Sequence, residues 1–128
     1  MVNKIFRNIF KIRQFRESLK LAIKGFLYLF LYHRNMRIIF LAGIAAFLLG
    51  VYFKLKGIEL IALCITITVV FMAEIFNTAI EMMMDALTEK YHTKIKLIKD
   101  IAAAVVLLAS LNALAVGYVL FAKKILFK

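Results

Sequence analysis

Polar and apolar positions fall into long blocks along this chain. Three stretches carry no charged residue: 38–53, 60–73 and 101–122, of 16, 14 and 22 residues. A helix needs about 20 predominantly apolar residues to cross the hydrocarbon core of a bilayer. The third block meets that length unaided. The first reaches it if Arg37 and Lys54 extend from its ends toward water. The second is too short unless its helix runs on through Glu74 and Asn77 to about residue 80. The pattern therefore predicts spans over about residues 36–54, 58–80 and 100–122, with a connection over about 82–99.

Residues 4–34 are patterned differently. Phe15, Leu19, Ala22, Phe26 and Leu29 recur at steps of four and three, which marks a helical stripe. Lys11, Arg13, Arg16, Lys20 and Lys24 fall mainly off it. This predicts an amphipathic helix suited to an anionic membrane surface. A cleaved leader is a poorer reading, because the charged region is long and no small-residue cleavage site follows the next apolar run. No repeat, low-complexity tract or linker marks a second domain.

Composition narrows the class. The 128 residues are 65% hydrophobic, with no proline and five glycines, so the punctuation of an all-β protein is missing. Too few polar residues remain to cover a water-soluble domain of this size. The expected fold is an all-α integral membrane protein: one amphipathic surface helix and three transmembrane helices in a single domain. Cys64, the only cysteine, lies in an apolar run and reads as a buried thiol.

Eighteen Lys and Arg stand against seven acidic residues, for a net charge of +11. Nucleic-acid binding is one reading of such a charge. Here the bases flank the apolar runs instead of forming one patch, so no nucleic-acid partner is expected. Thirteen basic residues lie in the segment up to Arg37 and in the long connection, against five in the short loop and the tail. By the positive-inside rule the N-terminus and the long connection are cytoplasmic.

The chemistry concentrates where the second span must be extended. At about 100° per residue, Asn77, Glu81 and Asp85 lie at about 300°, 340° and 20° from Glu74, on one narrow helical stripe. Ionisable residues inside a span are functional by default. The competing account is polar glue between helices, with the carboxylates paired to downstream lysines. Clustered carboxylates at a water interface suit Mg²⁺, a hard cation that brings nucleotide phosphates with it. A carboxylate partly withdrawn from water can act as a general base. These parts suit phosphoryl transfer to a lipid hydroxyl, yet neither common glycine-rich phosphate loop is present.

Glu74, Asn77, Thr78, Ala79, Ile80, Glu81 and Asp85, followed by His92 and then Lys99 and Asp100, form a pattern spread over 27 residues. It resembles the signature of the prokaryotic diacylglycerol kinase and undecaprenol kinase family. The stretch "KGFLYLFLYHRNMRI" looks more like the undecaprenol kinase branch. The resemblance implies a homotrimer in the bacterial plasma membrane, using ATP and Mg²⁺ to phosphorylate diacylglycerol or undecaprenol. It also implies residue roles. Glu74 would be the base and Asn77 would orient the site. Glu81 would ligate Mg²⁺, and Lys99, Asp100, Lys90, Tyr91 and His92 would bind nucleotide. Arg16 would meet a phosphate or headgroup, and Asp85 would play a supporting part. One position departs from the pattern: His33 stands eight residues after Gly25, where the family usually carries a second metal-binding glutamate. Imidazole is a poor Mg²⁺ ligand. His33 thus stands beside Glu81 as the second candidate at the metal: it reaches ATP another way, or the metal preference differs, or the enzyme is weak. It also keeps open a second expectation, a non-catalytic membrane oligomer of the same fold.

Overall fold

The computed structural model describes residues 2–87 and 93–126. All regular structure among them is helical: α1 (Val2–Tyr32), α2 (Arg34–Tyr52), α3 (Ile58–Leu87) and α4 (Thr93–Gly117), then a π-helical turn (Tyr118–Ala122) and a short α5 (Lys123–Leu126). The chain divides into two compact units, Met1–Arg37 and Ile38–Lys128. Each is described by itself.

In the first unit α1 runs unbroken for 31 residues, as a stretch without proline or an early glycine allows. Aromatic pairs one turn apart line its last part. Phe26 meets Phe30 at 4.9 Å and Tyr28 meets Tyr32 at 4.7 Å between ring centroids, both pairs tilted. His33 is the single non-helical residue between α1 and α2. Its N–H donates to the Leu29 carbonyl at 2.9 Å, and its ring lies 6.1 Å from that of Tyr28.

Three segments are long and apolar enough to cross a membrane: Arg34–Tyr52, Ile58–Leu87 and Thr93–Leu126. Leu107, Leu108, Leu111 and Leu114 are all exposed, the arrangement expected of a lipid-facing surface. The α2–α3 hairpin is closed by a tight helix end. Lys54 N–H donates to Val51 O at 3.1 Å and Leu55 N–H to Gly50 O at 2.9 Å. This bond pair makes a Schellman cap, with Lys54 in the left-handed position (φ 60°) that glycine normally takes. Gly57, at φ 61°, then turns the chain into α3 and accepts the Ile61 N–H at 3.0 Å. A Cβ at Gly50 would lie 2.6 Å from Leu63 Cδ2, and one at Gly43 would lie 2.9 Å from Ile67 Cγ2. Two glycines seven residues apart thus let α2 close on α3, and Phe40 meets Phe71 edge-on at 5.8 Å.

Helix α3 packs against α4. Leu63, Ala73 and Met84 of α3 and Ala102 and Ala109 of α4 are buried. Two α3 hydroxyls bond back to their own helix, that of buried Thr66 to Ala62 O at 2.7 Å and that of exposed Thr68 to Cys64 O at 2.9 Å. At the hairpin end, Phe53 meets Phe121 at 5.9 Å and Glu59 pairs with Lys124 at 3.7 Å.

Two helix boundaries differ from the hydropathy pattern. Helix α3 continues seven residues past position 80 to Leu87, and α4 begins at Thr93, seven residues before position 100. Most of the connection is therefore helical. Its sequences "EMMMDAL" and "TKIKLIK" are rich in good helix formers, which hydropathy alone cannot tell from a linker.

Candidate functional site

The seam on α3 occupies one stripe but changes character along it. Glu74, the innermost member, is only 6% exposed, and Thr78 beside it is 5% exposed. The Glu74 carboxylate has no hydrogen-bond or ion-pair partner among the described residues. Asn77 is half-buried. Its Nδ2 donates to Glu81 Oε1 at 3.4 Å, while its Oδ1 is buried with no donor. Glu81 and Asp85 are exposed. Polar groups so placed usually find partners. Here Asn77 Oδ1 has not.

The outer half does find partners. Lys99, half-buried on α4, places its Nζ 2.6 Å from Asp85 Oδ1, joining α3 and α4 across the connection. Asp100 turns to its own helix and pairs with Lys96 at 3.2 Å. Because α4 starts at Thr93, Lys99 and Asp100 lie inside the helix, and Asp100 cannot be acting at a helix N-terminus. Adjacent in sequence, the two residues serve different partners.

The remaining expected site residues are accounted for separately. Arg16 is exposed on α1, and His33 is half-buried at the break after it. Lys90, Tyr91 and His92 lie outside the described residues. Sequence reasoning missed Asn112, an exposed amide in the uncharged run of α4. It borders an apolar groove of about 500 Å³ between α3 and α4, with Met72 and Phe76 on the α3 side. Phe76 lies about 200° around α3 from Glu74, so this groove opens away from the seam.

Oxygen chemistry dominates the seam. A hard divalent cation takes carboxylate and amide oxygens. Glu81 offers a carboxylate, and Asn77 Oδ1 is a buried oxygen without a donor. No group of three or more His, Cys, Asp or Glu side chains converges among the described residues. That donor set suits Mg²⁺ arriving with phosphate oxygens and does not make an all-protein cage.

Fold and seam together define a class: a helical protein with three segments able to cross a membrane and a row of carboxylates on the middle one. The comparisons name the family. Residues 20–121 match the model of the prokaryotic diacylglycerol kinases, and the chain belongs to that family. A diacylglycerol kinase of Synechocystis sp. is 36% identical over 101 residues, which cover 78% of this chain and 58% of that protein. An undecaprenol kinase of Bacillus subtilis is 32% identical over 92 residues, covering 72% of this chain and 75% of its own length.

Proposed function

We propose that this chain is a lipid kinase of the bacterial plasma membrane, transferring the γ-phosphoryl group of ATP to the hydroxyl of diacylglycerol or undecaprenol. The observation that carries the reading is the unpartnered, buried Glu74 beside the orphaned Asn77 Oδ1, on a stripe that leads outward to Glu81. A lipid hydroxyl entering there could donate to Glu74, while a nucleotide approaches the exposed end of the same stripe. Glu74 takes the hydroxyl proton as the oxygen attacks the γ-phosphorus, and the bond to the bridging oxygen of ADP breaks. Asn77 holds the reacting groups in register. Lys99, with Asp100 nearby, holds phosphates, and Lys90, Tyr91 and His92 complete the nucleotide site. Mg²⁺, held by Glu81 with Asn77 Oδ1 in reach, would supply neutralisation of phosphate charge. Phosphoryl transfer asks mainly for such positioning and electrostatic stabilisation.

The basic N-terminal segment and the connection around the seam face the cytoplasm in this reading, and α1 lies in the membrane surface with Arg16 toward headgroups or phosphate. The long exposed apolar faces are covered by lipid and by two further copies in a homotrimer. His33 supports the second reading, a non-catalytic oligomer, because its imidazole brings no negative charge where the family usually has glutamate. Incubating the detergent-solubilised protein with labelled ATP, Mg²⁺ and each lipid separates the two. Label in one lipid identifies a kinase and its acceptor. No label in any lipid, from protein that remains folded, leaves the scaffold reading standing.

A further inference from the structure

We infer that Asp85 is a positioning residue for the nucleotide: it holds the Lys99 ammonium beside the Glu81 station so that two of its three protons face incoming phosphates. The inference rests on the lipid-kinase reading of this site and gives a specific task to Asp85, from which only a supporting part was expected.

Lysine is a poor positioning group when left alone. Its ammonium sits on a flexible four-carbon stem and works as a point charge. On α4 the Lys99 side chain is 36% exposed and reaches across to α3, where Asp85 Oδ1 stops it at 2.6 Å. Asp85 lies four residues beyond Glu81 on the stripe, and side chains at that spacing stand about 5–6 Å apart at Cβ. The ion pair therefore anchors the positive charge one helical turn from the carboxylate best placed to meet Mg²⁺. An ammonium has three donors. Asp85 takes one, and the other two have no acceptor among the described residues.

The pair is a poor candidate for a stability device. Asp85 is 68% exposed, and ion pairs in contact with water contribute little to folding. It bridges residues 14 apart, across the connection that carries Lys90, Tyr91 and His92. What it does accomplish is to fix where the charge of Lys99 is found.

The test is equilibrium binding of Mg²⁺-ATP to the full chain in detergent, which needs no turnover and no acceptor lipid. The variants are Asp85→Ala, the isosteric Asp85→Asn, Asp85→Glu, Lys99→Ala and the Asp85→Ala/Lys99→Ala double. Asp85→Ala should weaken binding about tenfold, within the range measured for coupled neighbours, with a thermal midpoint close to wild type. Asp85→Asn should lose less, and Asp85→Glu should recover most of the loss. The double variant should bind no more weakly than Lys99→Ala alone, within about twofold, because without Lys99 there is nothing for Asp85 to position. Additive losses overturn the proposal, as does tighter binding in Asp85→Ala, which would make Asp85 a competitor of phosphate. Should Asp85→Ala not fold, the Asp85→Asn and Asp85→Glu affinities decide, and equality of both with wild type overturns it. Weak binding in Lys99→Ala with wild-type binding in Asp85→Ala defeats the positioning role alone. Wild-type binding in Lys99→Ala defeats the nucleotide role of Lys99 and the inference with it.

Discussion

Replacing Glu74 separates a reacting carboxylate from a structural one, because the two roles predict opposite changes in stability. The residue is 6% exposed and has no hydrogen-bond or ion-pair partner among the described residues. Glu74→Gln preserves volume and polarity, so the packing around it is retained and no ion pair is lost. Stability should stay within about 0.5 kcal/mol, the usual range for a substitution that touches no named interaction. Glu74→Leu removes the carboxylate altogether. Leucine at a position only 6% exposed breaks no bond and buries apolar surface, so the leucine variant should be the more stable. Both variants should lose turnover by about 10²–10⁴-fold, the contribution of a positioned general base. Thermal unfolding in one detergent gives the first quantity, and transfer of label to the acceptor lipid gives the second. If Glu74→Leu unfolds at lower temperature while Glu74→Gln keeps activity within a few-fold of wild type, Glu74 is structural glue and the base assignment is wrong.

Three further substitutions probe the hairpin and the departure from the family pattern. Lys54→Gly should stabilise the protein by about 1 kcal/mol, since Lys54 occupies a left-handed cap position (φ 60°) that costs a side-chain-bearing residue about that much; a lowered unfolding temperature contradicts this. Gly50→Val should destabilise by about 1–3 kcal/mol, because its Cβ would lie 2.6 Å from Leu63 Cδ2, a side chain too buried to move aside freely. A midpoint unchanged in detergent refutes the close α2–α3 approach. His33→Glu should raise lipid phosphorylation most when Mg²⁺ is limiting, by returning an oxygen ligand; lower activity at every Mg²⁺ concentration in folded protein eliminates the missing-ligand account.

The helices and the seam were legible because both depend on local periodicity. Uncharged blocks marked the three long apolar helices, and the spacing of Glu74, Asn77, Glu81 and Asp85 put them on one stripe before any tertiary contact was known. What could not be read depends on distant residues or on backbone geometry. The Asp85–Lys99 pair joins residues 14 apart and forms only because α4 returns along α3. Hydropathy marks an uncharged block over 101–122 but does not show that the charged turn from Thr93 is already helical. The cap at Lys54 was hidden for another reason: Gly50 and Gly57 flank it, yet the left-handed position between them falls to a lysine. Asn112 had a visible signal, one amide in a 22-residue uncharged run, but only the groove beside it gives that amide a setting.

The distribution of partners along the seam bears on the choice between glue and site. Polar groups that join helices in an apolar setting do so by bonding to each other, since an unmade bond there has no water to replace it. The seam contains such a joint, but at its exposed end, where Asp85 meets Lys99 at 2.6 Å. Toward the interior, where a joint would matter most, Glu74 has no partner and Asn77 Oδ1 has no donor. An unsatisfied buried group costs about 1–3 kcal/mol, a burden that a structural role would remove by substituting an apolar residue. A group that must meet an incoming hydroxyl has to remain unpaired until that hydroxyl arrives. The cost at Asn77 Oδ1 thus falls where a ligand could relieve it, which is the arrangement expected of a binding site and not of a joint between α3 and α4.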